Sequence, residues 1–186
     1  MKNNKVKIYV AGKVSKDSVF GTHYWRDDFV KKLEELSGIK LTSLDPAKKT
    51  ADQNNPEEAF GADVFMISQA DVVVVYLSDD ISVGGSQEIL VAKYYKKPVI
   101  GLAPPGGKFH QKNKEIFDQK IKNYRHPFVY STCDVVCNDI EAVADNIKNL
   151  DKIKPKTIEI IKQLADKYEK ENLKNDAYLN PLVNGS

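Results

Sequence analysis

The segment DVVVVYLSDDISVGGSQE, residues 71–88, decides the fold class of this chain. It begins with an aspartate and six apolar residues, continues through a polar stretch with two adjacent glycines, and ends on Glu88 at the start of a predicted helix. A strand that is apolar on both faces is typical of the middle of a parallel sheet covered by helices. The segment therefore predicts a buried central strand, a turn and a helix.

Strand-like and helix-like segments alternate along the chain. Strands are predicted at residues 6–12, 39–44, 71–77, 97–102 and 128–130. Helices are predicted at residues 24–36, 56–70, 85–95, 112–123 and 139–150. This repeated order predicts a three-layer, doubly wound α/β domain of the flavodoxin or Rossmann type, built on a five-stranded parallel sheet with an extra C-terminal helix.

The chain is predicted to divide into an α/β domain at residues 1–150 and a helical extension at residues 151–186. The apolar residues that fall on one face of the extension's helix are Ile158, Ile161, Leu164, Ala165 and Tyr168. Such a face needs a covering surface. Two interpretations stay open, because the helix can pack on its own domain or against a partner subunit.

Composition excludes several functional classes. The chain has 186 residues, 29% of them charged, and a net charge of +2 with lysines scattered among acids, which does not favour a nucleic-acid groove or a membrane-binding face. No apolar run approaches the ~20 residues that span a bilayer, and the run near the start is too short for a signal peptide. Cys133 and Cys137 form neither a disulfide framework nor a zinc site. We expect a reduced, cytoplasmic protein.

Three glycine-containing loops follow predicted strands, at residues 11–15, 78–88 and 103–108. In open parallel sheets, ligands bind at the carboxyl ends of the strands, where connections diverge to opposite faces. Glycine lets the backbone approach a ligand closely. The ligand site is therefore predicted at these loops.

Glu88 lies near the start of the predicted third helix. A helix N-terminus carries roughly half a positive charge and suits an anion, so we expect an ionised carboxylate there. Such a group is a good nucleophile toward an electron-poor carbon. Acids also occur in first helical turns for stability alone, worth about 0.3–1 kcal/mol. Position alone leaves both interpretations open for Glu88, and Asp63 is equally ambiguous.

Three stretches in combination carry a family resemblance: KIYVAG, GADVFMISQADVVVVYL and SVGGSQEILVAKYYKKPVI. Their most specific feature is an aspartate, Asp63, eight positions before the Asp71 that opens the strand, followed by S-x-G-x-x-x-E at the next helix. Together they resemble the nucleoside 2-deoxyribosyltransferase family, whose superfamily also contains hydrolases that remove the base from nucleoside 5'-monophosphates. The resemblance covers residues 6–102 and extends weakly to residue 150.

The resemblance implies three catalytic roles. Glu88 matches the nucleophile that attacks C1' of the sugar. Asp63 matches the acid that contacts the nucleobase and helps to protonate it as it leaves. Tyr9 matches the first-strand tyrosine whose hydroxyl orients the nucleophile.

Ser82 bears on the other end of the sugar. In the family's transferases this position resembles an aspartate that holds a 5'-hydroxyl, and in the monophosphate hydrolases it resembles a serine that donates to a 5'-phosphate. The serine favours a phosphate, whereas Asp79 or Asp80 would favour a hydroxyl if either reached the pocket, so both substrates stay open. The other residues assigned to the substrate side are Gly12, Lys13, Gly84, Gly85, Ser86 and Trp25.

Trp25 and Arg26 follow the first loop. Trp25 suits stacking on a nucleobase, and Arg26 suits a phosphate. For the tryptophan, packing in the core is the alternative. For the arginine, a solvated helix position is the alternative.

The implied chemistry is that of a retaining enzyme with two carboxylates. The sugar is held covalently on Glu88 and then passes to a second nucleobase or to water. No metal or organic cofactor is expected, and the expected partners are a nucleoside or nucleotide and a free nucleobase. The resemblance also implies a homo-oligomer, a dimer or higher.

Two other functions stay open. The same pocket would serve a non-catalytic nucleotide-binding or sensor domain. A phosphoribohydrolase would carry a PGG-x-GT signature at the helix start, and SVGGSQE lacks its threonine and glycine spacing.

Overall fold

The computed structural model describes residues 5–12, 25–77 and 82–185. The strands in these ranges are β1 (Lys5–Ala11), β2 (Lys40–Leu44), β3 (Val72–Tyr76), β4 (Val99–Leu102), β5 (His110–Ile116), β6 (Gln119–Arg125) and β7 (Val135–Cys137). The helices are α1 (Trp25–Ser37), α2 (Pro56–Gln69), α3 (Val83–Tyr94), α4 (Pro127–Thr132), α5 (Ile140–Lys148), α6 (Ile160–Glu171) and α7 (Leu179–Asn184). None of the helices described is both long and apolar enough to cross a bilayer.

A parallel sheet of five strands, in the order β2-β1-β3-β4-β7, forms the centre of the fold. Every residue of β3 is buried, as its continuous apolar run predicts. The chain moves from β1 outward to β2 and then returns to place β3 on the other side of β1. The strand order therefore reverses between β1 and β3, where open α/β sheets bind ligands. The predicted fold class is confirmed.

Helices cover both faces of the sheet. Alternation along β1 directs Ile8 and Val10 to one core cluster and Tyr9 and Ala11 to the other. The first cluster contains residues of α1 and α5, and the second contains residues of α2, α3 and α4. Tyr9 thus faces the layer that carries α2 and α3.

The helix predicted at residues 112–123 is wrong, because β5 and β6 form an antiparallel hairpin there. Its two turn residues, Phe117 and Asp118, have φ values of 50° and 62°. Positive φ at both central positions is the signature of the two-residue turns that join twisted strands. The sequence did not predict this turn, because the segment is charged and weakly periodic and neither turn residue is a glycine.

The fifth strand predicted at residues 128–130 is also wrong. Those residues belong to α4, which begins with a proline in its first turn. Proline's fixed φ suits the first helical position. The fifth strand of the sheet is β7, whose three residues are too few to show a pattern.

Helix α6 confirms the extra C-terminal helix, but it contributes no buried residue. Ile161, Leu164 and Tyr168 on its apolar face are exposed, and Leu173, just beyond it, is buried. Packing of the extension against a partner subunit stays a prediction.

Asp134 makes contacts with three separate segments of the chain. Its carboxylate pairs with the fully buried ammonium of Lys93 on α3. It also accepts hydrogen bonds from the backbone N–H of Val99 on β4 at 2.7 Å and of Lys156 at 2.6 Å. One carboxylate thus ties α3 and β4 to the start of the C-terminal extension.

Replacing Asp134 by alanine should lower the free energy of unfolding by about 3–5 kcal/mol, because Lys93 is left charged and buried without its partner. Urea denaturation measures the change. Asp166→Ala is the control, since its ion pair with Lys162 lies exposed on α6 and should contribute little to stability. The Lys93→Met/Asp134→Ala double variant should recover part of the loss. Equal losses for Asp134→Ala and Asp166→Ala would contradict this role.

Candidate active site

Tyr9 on β1 and Glu88 on α3 meet beside the carboxyl ends of the central strands. The Tyr9 hydroxyl donates a hydrogen bond to Glu88 Oε1 at 2.8 Å. Tyr9 is fully buried, so its ring has one orientation and its hydroxyl one direction. The structure thus brings together the two residues to which the resemblance gives the roles of nucleophile and orienting group.

The start of α3 sets the direction of Glu88. Ser82 is the N-cap, and its Oγ accepts a hydrogen bond from the N–H of Gly85 at 3.0 Å. Gly85 and Ile89 lie on the buried side of the helix. Because Glu88 is three residues beyond Gly85, it shares that side of α3. The cap therefore fixes the helical phase that turns Glu88 toward the sheet.

Packing does not require glycine at position 84, because an added Cβ would make only ordinary van der Waals contacts. A Cβ on Gly84 would lie 3.8 Å from Glu88 Oε1 and 3.9 Å from Ser82 Oγ. Ser86 is exposed, and its hydroxyl donates to the carbonyl of Val83 at 2.8 Å. Substrate contacts at these positions stay predictions.

Asp63 on α2 and Glu88 face one small cavity of about 50 Å³ between α2 and α3. The other residues lining it are Phe60, Val64, Ile67, Gly84, Gln87 and Val91. Asp63 Oδ2 also accepts a hydrogen bond from Lys49 Nζ at 2.6 Å. The two acids predicted to share a substrate therefore open on the same space.

Burial dominates the electrostatics of Glu88. It raises the pKa of Glu88, and the negative charge of Asp63 raises it further. The hydrogen bond from Tyr9 and the charges of Arg26 and Lys49 lower the pKa but do not cancel the effect of burial. We expected the helix dipole to keep Glu88 ionised. Glu88 is the sixth residue of α3, whereas the dipole acts mainly within the first turn, so the ionised state of Glu88 stays a prediction.

Tyr9 keeps its proton. Burial and the neighbouring negative charge of Glu88 raise the pKa of the Tyr9 hydroxyl. A hydroxyl that stays protonated remains a donor to Glu88 across the working pH range. This is the arrangement needed to orient a carboxylate.

Trp25 lies in the core, which argues against its predicted stacking on a nucleobase. Its ring is fully buried and packs against Phe29 and Tyr76, with ring centroids 5.9 Å and 5.3 Å away. A Cβ on Gly12 would lie 2.9 Å from Trp25 Cζ2. Glycine is therefore needed at position 12 because the tryptophan ring passes directly against the end of β1.

Arg26 is a buried residue that sequence reasoning assigned to solvent or to a phosphate. Its Nε donates to the carbonyl of Val10 at 2.9 Å, and its Nη2 donates to the carbonyl of Gly12 at 2.7 Å. Nε is also 3.8 Å from Asp45 Oδ1. Arg26 thus holds the end of β1 in place.

Other predicted site residues lie outside the described part of the chain. Lys13, Asp79 and Asp80 are among them, so their roles stay predictions. Conversely, sequence reasoning missed Lys49, which fell in a stretch interpreted as a polar loop. Only its position in the loop after the carboxyl end of β2 could have indicated that Lys49 lies near the site.

Comparison with known proteins supports the fold. No protein-family model and no curated protein matches this chain in sequence. The structure is similar to a 2-desoxiribosyltransferase from Leishmania mexicana, with a TM-score of 0.52 and 18% identity over 77% of this chain and 97% of that one. At this identity the similarity shows a shared fold.

Two other solved structures match with lower TM-scores. A CMP N-glycosidase of Clostridium botulinum has a TM-score of 0.41 and 13% identity over 77% of this chain and 98% of its own. An azoreductase from Bacillus anthracis has a TM-score of 0.40 and 14% identity over 79% of this chain and 94% of its own.

Glu88→Gln should make the folded chain more stable at pH 7. The variant keeps an oxygen that accepts from Tyr9 but removes a charge that burial disfavours. Because the folded pKa of Glu88 is raised, the wild type loses stability as pH rises from the unfolded pKa through the folded one. The difference in unfolding free energy between variant and wild type should therefore be larger at pH 7 than at pH 4.

Chemical denaturation at both pH values measures this difference. Glu169→Gln, at an exposed position of α6, is the control and should show little change between them. A Glu88→Gln difference that is the same at pH 4 and pH 7 would contradict the raised pKa.

Proposed function

We propose that this chain is an enzyme that breaks the N-glycosidic bond of a 2'-deoxynucleoside or its 5'-monophosphate, through a covalent glycosyl intermediate on Glu88. The observation that carries the proposal is the 2.8 Å hydrogen bond from Tyr9 to Glu88, on a cavity that Asp63 also lines. The sequence resemblance supports this chemistry. The fold shared with the Leishmania deoxyribosyltransferase is consistent with it.

In the first step, a Glu88 oxygen attacks C1' of the sugar. The bond between C1' and the base nitrogen breaks, and its electron pair stays on the base, which takes up a proton from water at a ring nitrogen. The Asp63 carboxylate accepts a hydrogen bond from the resulting N–H and so makes protonation of the leaving base easier. The product of this step is a glycosyl ester on Glu88.

In the second step, water or a second nucleobase attacks C1' from the face that the first base left. The ester bond breaks, Glu88 regains its carboxylate, and the proton of the attacking group passes to solvent. Two displacements at C1' retain its configuration. A deoxy sugar is favoured because it stabilises the positive charge that develops in the transition state better than a ribose does.

The 5' end of the sugar is assigned to the start of α3. The Ser82 hydroxyl accepts from Gly85 and can still donate, because one hydroxyl does both. Donation to a phosphate oxygen beside a helix N-terminus is favourable. A 5'-monophosphate is therefore the substrate that the described residues favour over a free nucleoside.

Incubation with a panel of deoxynucleosides and their 5'-monophosphates, with and without a second free base, should release nucleobase detectable by chromatography. Glu88→Gln and Glu88→Ala should reduce release roughly 1,000-fold or more, because the nucleophile is lost. Glu169→Gln should keep wild-type activity. Undiminished release by a folded Glu88→Gln protein would overturn the mechanism, and tight nucleotide binding without release would favour a sensor domain.

Tyr9→Phe should lower kcat/KM for base release by about 10- to 100-fold, since a hydrogen bond to a charged group is worth about 1.5–3 kcal/mol. Without its donor, Glu88 should also ionise at higher pH, which moves the acidic limb of the pH–rate profile upward. Tyr124→Phe removes the hydroxyl of another mostly buried tyrosine, on the β5–β6 hairpin, and should change neither quantity. An unshifted acidic limb in Tyr9→Phe would argue against the orienting role.

A further inference from the structure

Lys49 reaches the acid pair from the carboxyl end of β2. Its Nζ donates to Asp63 Oδ2 at 2.6 Å and to the carbonyl of Ala59 at 3.0 Å. The turn that precedes it, Pro46–Lys48, is capped by Asp45, whose Oδ1 accepts from Ala47 N–H at 2.9 Å. The Lys49 side chain is only 12% exposed. The Lys49 ammonium is thus held by its two hydrogen bonds, and its backbone follows a capped turn.

This contact leaves Asp63 with two different oxygens. Oδ2 is bound to Lys49, whereas Oδ1 is buried and has no hydrogen-bond partner within the described ranges. A buried acceptor without a donor is unfavourable. Because Asp63 lines the cavity with Glu88, a ligand with an N–H group at that position would satisfy it.

The groups that act on the ionisation of Glu88 come from four segments of the chain. Three are charged, Arg26 of α1, Asp63 of α2 and Lys49 between β2 and α2, and the fourth is the neutral Tyr9 hydroxyl of β1, which donates a hydrogen bond. Arg26 directs its Nε and Nη2 at backbone carbonyls of β1 and its end, whereas Lys49 binds an acid directly. Two carboxylates in one cavity oppose each other's ionisation, and a nearby cation relieves that opposition.

We propose that Lys49 is a positioning residue with two effects: it fixes Asp63 so that Oδ1 is presented to an N–H group of the nucleobase, and its positive charge favours the carboxylate form of Glu88. The first effect selects bases that offer an amino group or a protonated ring nitrogen at that position. The catalytic consequence rests on the proposed function, but the effect on ionisation does not.

The ionisation effect is tested without substrate, by following the carboxyl ¹³C signal of Glu88 in the full chain as pH is varied. Lys49→Met should raise the pKa of Glu88 above its wild-type value. Lys49→Gln, which keeps a donor to Asp63 but no charge, should raise it as well, whereas Lys49→Arg should restore it. Lys48→Met is the matched control, because the neighbouring lysine pairs with Asp27 at a half-exposed position. The proposal would be overturned if the pKa of Glu88 in both Lys49→Met and Lys49→Gln were the same as in Lys48→Met.

The catalytic consequence is tested by the pH profile of base release. Lys49→Met should lower kcat/KM more at pH 6 than at pH 8, because loss of the positive charge disfavours the ionised form of Glu88, and Lys49→Arg should recover most of the activity. A loss that is equal at both pH values would contradict the charge effect. If the wild type releases no base from any substrate, the proposed function fails, while the titration still decides the role of Lys49.

Discussion

The hydrogen bond between Tyr9 and Glu88 joins residues that are 79 positions apart, and the rest of the architecture makes it possible. It requires β1 to lie beside β3, which the reversal of strand order provides. It also requires α3 to begin at one particular residue, because a shift of a single residue would rotate Glu88 by about 100° around the helix axis. The Ser82 cap sets that starting point.

The same arrangement balances opposing electrostatic effects. Burial removes water from Glu88 and disfavours its charge, while Tyr9, Arg26 and Lys49 supply oriented donors and positive charge in place of that water. Fixed dipoles and charges of this kind need no reorganisation during a reaction. A carboxylate in such a setting is poorly hydrated yet ionisable, which suits the attack on a sugar carbon that we propose for Glu88.

Sequence reasoning predicted what repeats along the chain and missed what depends on distant contacts. The valine-rich β3 and the alternation of strands and helices were sufficient for the parallel sheet, whereas Tyr9, Asp63 and Glu88 were selected only through the family resemblance. The β5–β6 hairpin was missed because its turn has positive φ at Phe117 and Asp118, and this residue pair is not a typical sequence signal for such a turn. Arg26 and Lys49 were missed because burial of a charge depends on carbonyls and carboxylates supplied by other segments.

The contact between Gly12 and Trp25 links the core to the site. The tryptophan ring lies so close to the end of β1 that a methyl group at position 12 would meet it at 2.9 Å, and the carbonyl of the same glycine is held by Arg26. A change of volume in this part of the hydrophobic interior is therefore transmitted to the strand that carries Tyr9. A substitution at this contact would therefore change both the stability of the core and the direction of the Tyr9 hydroxyl.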